Sequence, residues 1–138
     1  MRRPLGAQAV QPRTQAMKEA VALGRASLML VSAGSAFPLM VGTFYGWPCA
    51  KSGPVKLART AAVIQALLDE IGCWPAVPTV LMGDLNAPVA QVSSLGPRLV
   101  AGEWHDLGHI ASAWGALTTK RQLGLTMRLC PVGQITFL

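Results

Sequence analysis

An acid and an amide one residue apart, Asp84 and Asn86, are the residues of this chain best suited to chemistry. They stand in Gly83-Asp84-Leu85-Asn86, directly after the short apolar run of residues 77–82. A carboxylate there can take a proton from water or bind a divalent cation, and the amide can orient a substrate oxygen. A tyrosine, Tyr45, closes a second apolar run, residues 38–45. The plainer reading of Asp and Asn after a strand is an Asx turn, in which the acid accepts a nearby backbone N–H. The tetrapeptide alone favours that turn, so the surrounding elements must decide.

Those elements read as an alternation of strands and helices. Residues 15–23 form a short helical pattern with Ala16, Met17, Ala20 and Leu23 on one side. Residues 27–32 and 38–45 read as two strands of a hairpin, joined by a turn at Ala33-Gly34-Ser35-Ala36. The clearest helix is 55–71, where Leu57, Ala61, Ile64, Leu67, Leu68 and Ile71 recur at three- and four-residue steps. Ser52 is its expected cap, Pro54 suits its first turn, and Gly72 is its stop signal. The strand at 77–82 then delivers Asp84 and Asn86 to a loop, a position where α/β proteins often place ligands. Residues 99–113 are compatible with a short helix whose aromatics pack on the core, and 116–138 are broken by Gly124, Pro131 and Gly133. The mixture predicts an α/β fold with helices packed on a mixed sheet.

Composition narrows the class. At 138 residues the chain supports one core, and with 51% apolar and 13% charged residues it is not a disordered polar chain. The net charge of +6 invites a nucleic-acid reading, but the bases sit at the ends. Residues 26–119 hold four bases (Lys51, Lys56, Arg59 and Arg98) against five acids, or −1 net, so the centre has no cationic groove by count. Cys49, Cys73 and Cys130 are odd in number and widely spaced, without a C-x-x-C pair. They read as buried free thiols in a reducing, intracellular setting. Residues 26–50 carry no charge and are long enough to span a bilayer, yet Gly34, Pro38, Gly42, Gly46 and Pro48 favour two strands and a turn. No membrane span is expected.

The order of motifs now carries weight. A strand ending Gly42-Thr43-Phe44-Tyr45-Gly46-Trp47-Pro48 precedes a helix bearing Arg59, then comes Leu81-Met82-Gly83-Asp84-Leu85-Asn86-Ala87, and later Trp104-His105-Asp106. Over residues 26–115 this resembles the endonuclease/exonuclease/phosphatase superfamily, which includes abasic-site and retroelement endonucleases, sphingomyelinases and inositol-phosphate phosphatases. The resemblance implies a two-layer α/β sandwich and metal-dependent hydrolysis of a phosphodiester, with nucleic acid among the substrate classes. It gives Asp84 the role of orienting or deprotonating the attacking water and makes it the matched residue for magnesium or manganese. Asn86 would hold the phosphate and position the nucleophile, and the Tyr45 hydroxyl would contact the phosphate or metal-bound water. Trp104 and Asp106 would be support beside the site, and Arg59 a helix anchor.

The chain departs from that family pattern at both ends. The family takes a metal-binding glutamate from an early strand, but the one carboxylate before Ala26 is Glu19, in a helical context. No Asp or Glu follows Asp106 and no His follows His109, so the family's late Asp-His pair is missing. His105 and His109 belong to another segment and read as ordinary packing or surface residues. The expected organisation is a basic extension over 1–25, a partial domain over 26–115 and a divergent tail over 116–138. The expected activity of such a truncated domain is weak or nil. The alternative is a non-catalytic fragment or interaction module, with self-association through exposed sheet edges.

Overall fold

The computed structural model describes residues 5–33, 38–106 and 124–128. Among these residues six strands form one mixed sheet in the order β1-β2-β3-β4-β6-β5. They are β1 (Leu5–Ala9), β2 (Ala26–Ala33), β3 (Leu39–Tyr45), β4 (Thr79–Asp84), β5 (Trp104–Asp106) and β6 (Gly124–Arg128). Three helices accompany them: α1 (Gln15–Ala22), α2 (Pro54–Gly72) and the short α3 (Gly96–Val100). The class is α/β, as the alternating pattern predicts. β2 and β3 are antiparallel, whereas β3 and β4 are parallel and joined through α2, the crossover that a parallel pair requires.

The sequence of α2 explains its packing. Thr60, Ala61, Val63, Ile64, Ala66, Leu67, Leu68 and Ile71 are buried on one side, and Lys56, Arg59 and Asp69 lie outside. That face meets Leu28, Met40, Phe44 and Leu81 from the sheet and Met17 and Ala20 from α1 in one apolar cluster. Each fully buried Leu, Ile or Met of this set contributes roughly 1.5–3 kcal/mol of apolar burial. The cap of α2 is Gly53 in an extended conformation rather than Ser52, and no side chain accepts a bond there. Pro54 sits at N1, where its missing N–H costs nothing. Gly72 is the last helical residue, and the Cys73 and Trp74 N–H groups close the end onto the Glu70 and Ile71 carbonyls.

Several expectations change. Within the basic extension expected over 1–25, β1 pairs with β2, and α1 buries Met17 and Ala20. Leu23 is excluded from that face and is 65% exposed, because α1 ends at Ala22. Strand β1 escaped notice because Leu-Gly-Ala-Gln-Ala has small residues and no β-branched pattern. Strand β4 starts two residues later than expected and includes Gly83 and Asp84, so the turn begins at Leu85. Trp104-His105-Asp106 is a strand, not part of a helix, although Trp104 does pack inward at 2% exposure. Within the expected tail, Gly124–Arg128 is a strand between β4 and β5, with Gly124 opening it rather than breaking it. Cys49 and Cys73 are exposed, since one lies in the turn before α2 and the other just past its end. The hairpin turn beyond Ala33, His109, Trp114 and Cys130 lie outside the described residues. The described residues of the uncharged run 26–50 form β2, β3 and the start of a 3-10 turn, and no described helix is long and apolar enough to cross a membrane.

Buried Glu70, which the sequence pattern did not single out, fastens α1 to α2. Its carboxylate accepts the Arg13 N–H at 2.9 and 3.0 Å, the Thr14 N–H at 2.8 Å, the Thr14 hydroxyl at 3.0 Å and the Trp74 indole N–H at 3.4 Å. Thr14 is the N-cap of α1, so a negative charge sits at that helix's positive end. Burial alone would push the Glu70 carboxyl up, but the Thr14 and Arg13 N–H groups, the Thr14 hydroxyl and the indole outweigh it and hold it below its ordinary value. The Arg13 guanidinium stacks on the same indole at 4.0 Å.

Candidate functional site

The parallel register of β3 and β4 sets Tyr45 opposite Asp84. Burial alternates along β3, with Met40, Gly42 and Phe44 inside and Tyr45 exposed, so Tyr45 and Asp84 share the sheet face away from α2. Both residues are the last of their strands, which puts the phenol and the carboxylate together at the carboxyl edge of the βαβ unit. This is the rigid strand end beside an open loop where α/β proteins place their chemistry.

The pair is held by close backbone approach. A Cβ at Gly83 would collide with the Phe44 carbonyl, and one at Gly46 would collide with the Leu85 carbonyl. Both glycines are therefore needed where the two motif segments touch. The Gly46 N–H bonds the Asp84 carbonyl at 2.7 Å, extending the pairing past the strand ends. On the other side, the Trp47 N–H donates to the buried Thr60 hydroxyl at 2.9 Å, tying the loop after β3 to α2.

Asn86 joins the pair through the turn. Asp84 Oδ1 accepts the Asn86 backbone N–H at 2.8 Å, so the Asx turn suggested by the tetrapeptide is real. Asn86 has φ 53°, a left-handed conformation that Asn tolerates better than most residues. Leu85 is buried between them and pins the turn to the core. Asn86 Nδ2 then donates to the Gly46 carbonyl at 3.2 Å, and the Asn86 carbonyl accepts the Lys51 N–H at 3.2 Å. That bond uses one of the two Nδ2 protons, so the second N–H can donate to a ligand and the amide oxygen can accept or coordinate. Tyr45, Asp84 and Asn86 thus converge, and Gly46 links all three.

Other predicted residues stand apart. Register places Asp106 opposite Thr126 and Thr126 opposite Leu81, three residues before Asp84 on β4. That is about 10 Å along the strand and two strand spacings across, too far to join the edge. His105 lies on that outer strand, and its Nε2 is buried with no hydrogen-bond partner among the described residues. Glu19 is on the exposed side of α1, bonded to Gln15, and is not in a strand. Arg59 reaches the Trp47 ring at 5.9 Å, in keeping with its reading as a helix-face anchor. Among the described residues no group of three or more His, Cys, Asp or Glu could hold a metal ion.

The sequence reading missed Arg25, whose guanidinium stands 5.1 Å from the Tyr45 ring centroid and 4.5 Å from that of Trp47. A basic residue immediately before β2 was a faint signal. Its place beside Tyr45 follows only from the β2–β3 pairing. Compared with protein-family models and with curated proteins, the chain matches none.

Proposed function

We propose that this edge binds and slowly hydrolyses a phosphodiester, in the manner of the endonuclease/exonuclease/phosphatase superfamily that the chain resembles. The observation that carries the reading is the opposition of Tyr45 and Asp84 on adjacent parallel strands, with Asn86 turned back onto Gly46 between them. Asp84 is exposed and uses Oδ1 for the turn, leaving Oδ2 to orient and deprotonate a water. The Asn86 amide and the Tyr45 hydroxyl hold phosphate oxygens on either side of that water's line of attack. The sandwich architecture of the superfamily belongs to the same proposal.

Magnesium or manganese fits this edge thinly. Asp84 is the one carboxylate brought to it among the described residues, and such an ion is commonly held by one or two carboxylates together with water and substrate phosphate. When bound, the ion would neutralise charge on the phosphate oxygens. Asp84 would hold it, with Asn86 Oδ1 as the neighbouring neutral donor. A single protein carboxylate is the reason the proposed turnover is slow.

The test is hydrolysis of a model phosphodiester or nicked DNA across a magnesium and manganese series. Slow, metal-dependent cleavage is expected, and Asp84→Ala should lower it by about two orders of magnitude or more. Cleavage that survives Asp84→Ala unchanged would contradict the assignment. A second reading, an interaction module without turnover, is favoured by one feature. Among the described residues strand β1 ends the sheet, and its residues 6–9 are exposed and uncharged, a ready template for another strand. Concentration-dependent association without metal-dependent cleavage would support it.

A further inference from the structure

Arg25 is built into the edge more firmly than a surface arginine. Its N–H bonds the Ala20 carbonyl of α1 and its carbonyl accepts the Tyr45 N–H, each at 2.9 Å, so its backbone is fixed between a helix and a strand. Its side chain is fixed too, by the Tyr45 and Trp47 rings and by a bond from Nη1 to the Gly46 carbonyl at 3.2 Å. That carbonyl is the one that accepts Asn86 Nδ2, also at 3.2 Å. Guanidinium and amide therefore meet on a single oxygen, and the cation adjoins the candidate site.

No carboxylate among the described residues neutralises it. The salt bridge among the described residues is Arg98–Glu103, and Arg25 has no acidic partner among them. A guanidinium carries five N–H groups in a planar fork, and the Gly46 carbonyl engages one of its nitrogens. The fork matches the spacing of two phosphate oxygens, and rings that fix its plane reduce the freedom lost on binding. A residue serving only to join α1 to β3 would need its backbone bonds, not a stacked and unpaired charge.

We propose that Arg25 is the anion anchor of this edge, binding the non-bridging oxygens of a phosphodiester beside the Asn86 amide. The assignment rests on reading the edge as a phosphodiester site and supplies the positive charge that Tyr45, Asp84 and Asn86 lack. Arg59, on α2, is a second cation near the Trp47 ring, at 5.9 Å, and lies further from the edge.

Binding without metal tests the anchor apart from hydrolysis. The probes are a labelled short oligothymidylate and vesicles of phosphatidylcholine with phosphatidylglycerol, which separate a nucleic-acid source of the diester from a lipid one. Arg25→Gln should weaken the bound probe about tenfold, and for the oligonucleotide reduce the slope of log affinity against log salt by about 0.7. Arg25→Lys should keep the slope while losing affinity, because an ammonium offers no planar fork. Arg59→Gln should lose less than Arg25→Gln. If Arg25→Gln does not fold, Arg25→Lys carries the test, and wild-type affinity in that variant overturns the anchor. So does a folded Arg25→Gln with wild-type affinity and slope, or a wild-type chain that binds neither probe. Absence of metal-dependent cleavage with Arg25-dependent binding intact removes the hydrolase reading and leaves the anchor standing.

Discussion

At the residue scale, the same bond serves two readings of Asp84. Its Oδ1 closes an Asx turn on the Asn86 N–H, which any loop could use, and that turn aims the Asn86 amide at Gly46 and the Tyr45 edge. Local geometry and proposed chemistry are thus not rivals here. They are separable by substitution at Asn86, whose φ is 53°. Asn86→Gly keeps the left-handed conformation and should change stability by no more than about 1 kcal/mol while lowering phosphodiester cleavage. Asn86→Val should cost a further 1–2 kcal/mol or so through backbone strain, visible as an earlier thermal transition. Equal stabilities for the two variants would mean that the left-handed turn is not formed. The motif glycines were legible in the sequence only as turn signals; that Gly83 and Gly46 admit each other's strands by lacking a Cβ required the register to be known.

At the element scale, periodicity carried the large pieces. Helix α2 was legible to within a residue at each end because its apolar face recurs through five turns, and β2 and β3 were legible as dense apolar runs. Short elements were not. Strand β5 has three residues, too few to distinguish a strand from a helical turn, and β1 is made of small residues whose partner supplies the order. Glu70 was hidden for a related reason: its donors, Arg13 and Thr14, lie 57 and 56 residues away in sequence. Glu70→Gln should destabilise the fold by about 1–3 kcal/mol, since an amide turns N–H groups toward buried donors. The sign of its pH dependence follows from a folded-state value held below the unfolded one. The contribution is present above the unfolded carboxyl's range and is lost as pH falls through the lowered folded value. Denaturant melts across that acidic range should converge for wild type and Glu70→Gln, and parallel curves would contradict the clamp.

At the scale of the whole molecule, α1 and α2 cover one side of a sheet whose order, among the described residues, ends at β1 and β5. The exposed, uncharged residues 6–9 of β1 predict concentration-dependent association in sedimentation velocity, suppressed by Ala7→Lys or Gln8→Lys. Sedimentation independent of both concentration and these variants would assign β1 no such role. The sequence foretold an α/β chain, and resemblance pointed to Tyr45, Asp84 and Asn86. Their convergence, and the presence of Arg25 beside them, depended on strand pairing that no local pattern encodes. Amide chemical-shift mapping tests that convergence most directly, with a phosphorothioate diester titrated into the chain in the presence of magnesium. The account predicts that Tyr45, Gly46, Asp84, Leu85 and Asn86 shift together along one binding curve. Unmoved resonances at these five residues, with shifts elsewhere or none at all, would contradict it.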